Sequence, residues 1–182
     1  MRIVAGTHRG RRLETPADAR IRPTADRIRE ALFNALGHRL GGFGGKRVLD
    51  AFAGTGALGL EALSRGAAAA VFMEKDRDAL ALCRRNVTAL ELAAQARLIQ
   101  GDATIPPRAD TACDLVLLDP PYGEDLGPKA MTALSAAGWI DSHTLIALET
   151  DRKKLESLPP GFATEDSRVY GRTRIALVRK SG

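Results

Sequence analysis

An alternation running from Arg47 to residue 151 constrains this chain more than any other feature. Short apolar runs recur: "RVLDAF" at 47–52, "AAAVFMEKD" at 68–76, "ARLIQGD" at 96–102, "CDLVLLD" at 113–119 and "TLIALET" at 144–150. Helical patterns stand between several of them, at Leu58–Arg65, in "RDALALCRRNVTAL" at 77–90 with Asp76 or Asp78 at its start, and over 125–137. Continuous apolar runs are strands buried on both faces, and parallel neighbours need a crossover, usually helical. The spacing therefore predicts a mostly parallel sheet covered by helices. Two last runs, "EDSRVYG" and "TRIALVRK", lie too close for a crossover, so they pair antiparallel around a turn at Gly171.

Before Arg47 the chain has a different character. Residues 2–14 alternate weakly around Gly6 and Gly10, which predicts a short β-hairpin or arm. "TPADARIRPTADRIREALFNALG" opens as a loop and continues as a helix, with Thr24 as its N-cap and Gly37 as its end. "GGFGGK" at 41–46 reads as a flexible joint. We divide the chain into a basic extension, 1–45, and a main domain, 46–182. Residues 1–47 carry eleven Lys/Arg against four Asp/Glu, whereas the remainder is slightly acidic. Arginine makes up 21 of the 27 cations, and its planar fork suits phosphate. Such a charge split points to a polyanion partner.

The sequence argues against several classes. No apolar run is long enough to span a membrane, and "MRIVAGTHRGRR" lacks the pattern of a secretory signal. Cys83 and Cys113 have no metal-type spacing and read as reduced core thiols of a cytoplasmic protein; no metal site is expected.

Ligands of open α/β sheets bind beyond the carboxyl ends of the strands. Asp50, Glu74, Asp102 and Asp119 stand at four such ends. "GTGALG" at 54–59 fits the dinucleotide fingerprint, with Glu74 twenty residues after Gly54. Asp50, just ahead of the glycine loop, argues against a pyrophosphate there, because two anions in a dry crevice repel. A ligand carrying an ammonium and no phosphate gains a bond instead. S-adenosylmethionine is such a ligand; Glu74 then takes its ribose hydroxyls and Asp102 its adenine.

The stretch Asp119, Pro120, Pro121, Tyr122 ends the fourth strand on a carboxylate, two rigid rings and a phenol. Asp119 and the Pro120 carbonyl offer acceptors for both hydrogens of an exocyclic amine, and Tyr122 offers a stacking face. That floor suits methyl transfer to an unstacked base.

"DPPY" with "LDAFAGTGALG" resembles the amino-methyltransferases. "MRIVAGTHRGRRL", "RPTADRIREALFNAL", "MEKD" and "VYGRTRIALV" resemble the RsmD family, which methylates the exocyclic N2 of a guanine in bacterial 16S ribosomal RNA. The resemblance implies a Rossmann-like S-adenosylmethionine-dependent fold of seven strands, the last antiparallel, with an N-terminal β-hairpin and helix that help grip RNA. It implies 16S RNA in the small ribosomal subunit, or in its assembly intermediate, as the partner. It places Asp119, Pro120, Pro121 and Tyr122 at the catalytic positions. Asp50, Gly54, Gly56, Glu74 and Asp102 fall at cofactor positions, with Phe52, Thr55, Lys75 and Ala103 beside them. Arg22, Pro23 and Thr24 match a pre-helix motif, and Arg2, Arg9, Arg11, Arg12 and Arg22 become the RNA contacts. Three rivals are an adenine-N6 or cytosine-N4 methyltransferase, a glutamine-N5 protein methyltransferase (whose floor usually begins with Asn), and an RNA-binding assembly factor that only holds S-adenosylmethionine.

Overall fold

The computed structural model describes residues 1–16, 23–121, 125–153 and 157–181. Seven strands form one sheet: β1 (Arg47–Asp50), β2 (Ala69–Glu74), β3 (Ala96–Gln100), β4 (Leu115–Leu118), β5 (Leu145–Asp151), β6 (Phe162–Tyr170) and β7 (Thr173–Lys180). Their order is β3-β2-β1-β4-β5-β7-β6. The strands from β1 to β5 pair in parallel, and β7 pairs antiparallel with both β5 and β6. The expected sheet, with its last strand reversed, is the sheet observed. The order turns around at β1 and β4, where a crevice opens at the carboxyl ends of the strands.

Helices cover both faces. α1 (Pro23–Leu40), α2 (Ala57–Ser64) and α3 (Arg77–Ala89) lie on one, and α4 (Leu126–Ala136) on the other. Strand alternation sorts the apolar residues between these faces. Val48, Phe72, Leu117 and Ala147 join the core under α1 and α2, while Leu49, Met73, Leu118 and Leu148 join the core under α4.

Three local expectations need correction. Thr24 does not stand ahead of the helix as an N-cap must, because α1 already includes Pro23. Gly37 does not end α1, which continues to Leu40. Gly41 then takes the left-handed conformation (φ 68°), and the Gly42 N–H donates to the Gly37 carbonyl at 2.8 Å, a Schellman closure. The "GGFGGK" joint is anchored, because Phe43 is buried with its ring centroid 5.7 Å from that of Phe33. The N-terminal hairpin is minimal, a single antiparallel bridge between Arg2 and Arg12.

The arm is tied to α2 by a buried acid. Glu61 is fully buried and accepts from the backbone N–H of Val4 and Ala5 at 2.8 and 3.0 Å. The Nε of Arg65, one turn further on, lies 2.8 Å from the same carboxylate. Ser64 donates its hydroxyl to the Ala5 carbonyl and accepts from the His8 N–H. Leu32, Phe33, Leu36 and Phe43 share one core with Val48 and Leu60, so extension and sheet are packed continuously.

Candidate functional site

The period of two in the strands decides where the acids go. Asp50 and Glu74 follow Val48 and Phe72 by two residues, and Asp119 follows Leu117 by two. All three therefore face the side of the sheet that carries α1 and α2. There they line one cleft of 1170 Å³, together with Asp102 and Pro120. That volume exceeds a typical small-molecule pocket of roughly 300–1,000 Å³, so there is room for a cofactor and a second ring.

Asp50 carries the most information. Gly56 begins α2 at φ 81° and offers no side chain to cap it. Asp50 replaces the missing cap from the end of β1: the N–H of Gly59, in the first turn, donates to its Oδ2 at 2.9 Å. The side chain is 1% exposed, and Oδ1 is buried without a hydrogen-bond partner among the described residues. Burial raises the carboxyl to about 7, offset in part by the Gly59 bond and raised further by Glu74. An orphaned, desolvated oxygen beside a cleft is suited to a cationic group.

The other acids are held more firmly. Glu74 accepts from the N–H of Gly54 and of Asp76, both at 2.8 Å, and so ties the glycine loop to the start of α3. Asp76 caps that helix by accepting from the Ala79 N–H at 2.8 Å. Asp102 accepts from the hydroxyl and N–H of Thr104, and Lys75 Nζ lies 3.0 Å from its Oδ2. The Thr104 bonds and Lys75 hold Asp102 down at about 2. Asp119 is exposed and lines the cleft with buried Pro120, and its carboxyl is pushed upward by the desolvating surroundings of the cleft and by the charges of Glu149 and Asp50.

The glycines divide the labour of the loop. A Cβ at Gly59 would stand 2.4 Å from the ring of Phe72, so its absence lets α2 lie close on β2. A Cβ at Gly56 would meet Cys83 Sγ at 2.6 Å, and its positive φ adds strain. Phe52, Gly54, Thr55, Lys75 and Ala103 line the cleft, whereas Gly56 serves the turn.

Tyr122 and Arg22 lie outside the described residues. Among the arginines expected to meet RNA, Arg2 pairs with Asp26 at 2.9 Å, and Arg11 donates to the Ala89 carbonyl at 2.7 Å. Arg9 and Arg12 have no ion-pair partner among the described residues and line a second cavity of 890 Å³, which shares Met1 with the cleft. Sequence reasoning missed three residues here. Glu149, two residues before the last residue of β5, lines the cleft, and an acid closing the run "LIAL" was its signal. Arg29 also lines it, from α1, with its guanidinium on Asp26 at 2.8 Å and on the Arg2 carbonyl. Buried Asn86 bonds both to Glu14 of the arm and to the Thr55 carbonyl of the glycine loop, and nothing local marked it.

Over residues 1–179 the chain matches the family model described as conserved hypothetical protein 95. The chain belongs to this family, the RsmD family. Ribosomal RNA small subunit methyltransferase D of Escherichia coli is 35% identical over 182 residues, spanning 99% of this chain and 90% of that protein. A solved structure from Escherichia coli, described as a candidate methyltransferase, matches the RsmD-family chain with a TM-score of 0.85 at 32% identity, covering 100% of this chain and 98% of that one. The tRNA (guanine(6)-N2)-methyltransferase of Thermus thermophilus is 35% identical over 136 residues, which are 69% of this chain and 40% of that protein.

Proposed function

We propose that this RsmD-family chain transfers a methyl group from S-adenosylmethionine to the exocyclic N2 of a guanine in 16S ribosomal RNA, within the small ribosomal subunit or its assembly intermediate, in the cytoplasm. One observation carries the reading: Asp50, whose buried Oδ1 has no hydrogen-bond partner among the described residues, lines the same cleft as Asp119 and Pro120. A dinucleotide phosphate would meet repulsion there, whereas an amino-acid ammonium gains a charge-assisted bond. The family and the named methyltransferase relatives support the same reading.

When bound, S-adenosylmethionine supplies a methyl group on a sulfonium leaving group. Asp50 receives the ammonium. Glu74 keeps its backbone bonds and accepts ribose hydroxyls through its remaining lone pairs. Asp102 and Ala103 border the adenine, and Phe52, Gly54, Thr55 and Lys75 complete the wall, with Gly56 shaping the turn. On the acceptor side Asp119 and the Pro120 carbonyl each accept a hydrogen bond from the base amine, which aims the nitrogen lone pair at the donor; as the N–C bond forms and the S–C bond breaks, one amine proton leaves to Asp119 or to water. Pro120 and Pro121 fix the direction of that carbonyl. Tyr122, next in sequence, is assigned the stacking face. The base must leave its stack to reach this floor. Residues 1–45 act as the RNA-contacting extension of the methyltransferase domain 46–182, with Arg2, Arg9, Arg11, Arg12 and Arg22 as its cations.

The test is incubation with methyl-labelled S-adenosylmethionine and, separately, small subunits, naked 16S RNA and protein-free DNA, followed by nucleoside analysis. Labelled N2-methylguanosine from the ribosomal RNA is expected. Labelled N6-methyladenosine or N4-methylcytosine, or no transfer to any of the three, overturns the proposal.

A further inference from the structure

The acceptor floor accounts for an amine, but it does not account for the choice of base. Adenine, cytosine and guanine all present an exocyclic NH2, and Asp119 with Pro120 could hold any of them. The β4–β5 register adds a second acid. Leu118 pairs with Leu148, so the next residues, Asp119 and Glu149, are neighbours across the two parallel strands, whose spacing is roughly 4.8 Å. They follow Leu117 and Ala147 by two residues and share the face that those residues present. Both line the cleft. The Thr173 hydroxyl, on β7, lies 3.4 Å from Glu149 Oε1 and steadies the carboxylate.

We infer that Glu149 accepts the N1–H of the target base and so selects guanine. On guanine's pairing edge the N1–H stands beside the N2 amine, giving a row of hydrogen-bond donors. Two carboxylates and one carbonyl match that row. Adenine places the bare N1 lone pair beside its N6 amine, and cytosine places the bare N3 lone pair beside its N4 amine. Glu149 would then face an acceptor and lose its bond, a mismatch that polar sites reject far more strongly than a missing apolar contact. The inference rests on the proposed guanine-N2 reading and assigns the specificity of that same site.

The test uses small subunits reconstituted with 16S RNA in which the methylated guanine, once mapped, is replaced by 2-aminopurine. That base keeps the N2 amine but has no N1–H. The readout is the ratio of kcat/KM for guanine to kcat/KM for 2-aminopurine, with S-adenosylmethionine affinity and melting temperature as controls of folding. Wild type should favour guanine by at least ~100-fold. Glu149→Gln, whose amide can donate to a bare N1, should cut the ratio by at least ~10-fold, chiefly by gaining rate on 2-aminopurine. Glu149→Ala, which offers neither donor nor acceptor, should bring the ratio down by losing rate on guanine. If wild type methylates guanine N2 but the ratio is the same in all three proteins, the role of Glu149 is wrong and the proposed function stands. If wild type transfers no methyl to guanine N2 in unmodified subunits, both fall together.

Discussion

Asp50 and Asp119 are both carboxyls raised above their ordinary range, and they do different work. On the proposed reading Asp50, which is buried, receives the cofactor's ammonium, and Asp119 meets the base amine. Asp119→Ala should lower methyl transfer by ~10²–10³-fold, with S-adenosylmethionine affinity and subunit binding little changed, as single-turnover kinetics and equilibrium binding would show. Transfer near the wild-type rate would remove Asp119 from the chemistry. Asp50 makes a prediction in pH. Its carboxyl titrates near 7 in the fold and near 3.8 when exposed, so the ligand-free fold holds a proton that the unfolded chain has lost. Stability from this group is complete below about 4 and is lost as pH rises through 7. Asp50→Asn should therefore gain stability relative to wild type across that window, by up to ~4 kcal/mol, measured as the difference between denaturation curves from pH 4 to 8. Wild-type affinity for S-adenosylmethionine should rise with pH through the same window, because the ligand's ammonium favours the ionised carboxylate. A pH-independent difference between the two proteins would contradict the burial of Asp50.

At the scale of elements, the glycine loop, α2 and the N-terminal arm behave as one unit. α2 is capped from β1 by Asp50, lies close on β2 because Gly59 has no side chain, and holds the arm through Glu61 and Ser64. Gly59→Ala would push a methyl into the fully buried ring of Phe72, and a destabilisation of ~1–3 kcal/mol is expected in chemical denaturation, with weaker cofactor binding because the Asp50 cap shifts. Gly6 is a second test. Its φ is +82°, and a Cβ there would stand 1.8 Å from the Ser64 carbonyl oxygen. Gly6→Ala should release the arm from α2, seen as faster hydrogen exchange at the Val4 and Ala5 amides that Glu61 now protects. Unchanged protection would mean that the arm docks by other contacts. The element boundaries were mostly legible from periodicity. The exceptions were the two ends of α1: Thr24, expected as the N-cap, lies inside the helix, and Gly37 competed as a stop signal and lost. Gly37 packs against Phe43 inside a helix whose true closure lies at Gly41 and Gly42.

At the scale of the whole molecule, basic residues stand beside the cleft that the strand-end acids line. The basic extension lies next to that cleft, and Met1 and Arg29 line its wall. The expected cations differ in how far the fold already engages them. Arg2 and Arg11 already serve the fold, whereas Arg9 and Arg12 have no ion-pair partner among the described residues. Replacing Arg9 and Arg12 together by Ala should flatten the salt dependence of RNA binding, lowering the slope of log K against log salt by about 1–2. Replacing Arg11 should cost stability more than salt slope. An unchanged slope in the double variant would detach the arm from RNA.

The sequence by itself determined the alternating architecture, the reversed last strand, the acids at the strand ends and the family. Each of these is written in local signals: apolar runs, helical spacing, turn residues and contiguous motifs. Tertiary structure alone decided which arginines the fold already engages, that Glu61 and Asn86 fasten the arm to α2 and the glycine loop, and that Glu149 stands beside Asp119. These are pairings between residues distant in the chain, set by strand register and helix packing; the local period of two fixes the face a residue takes, not which residue of a distant strand stands beside it.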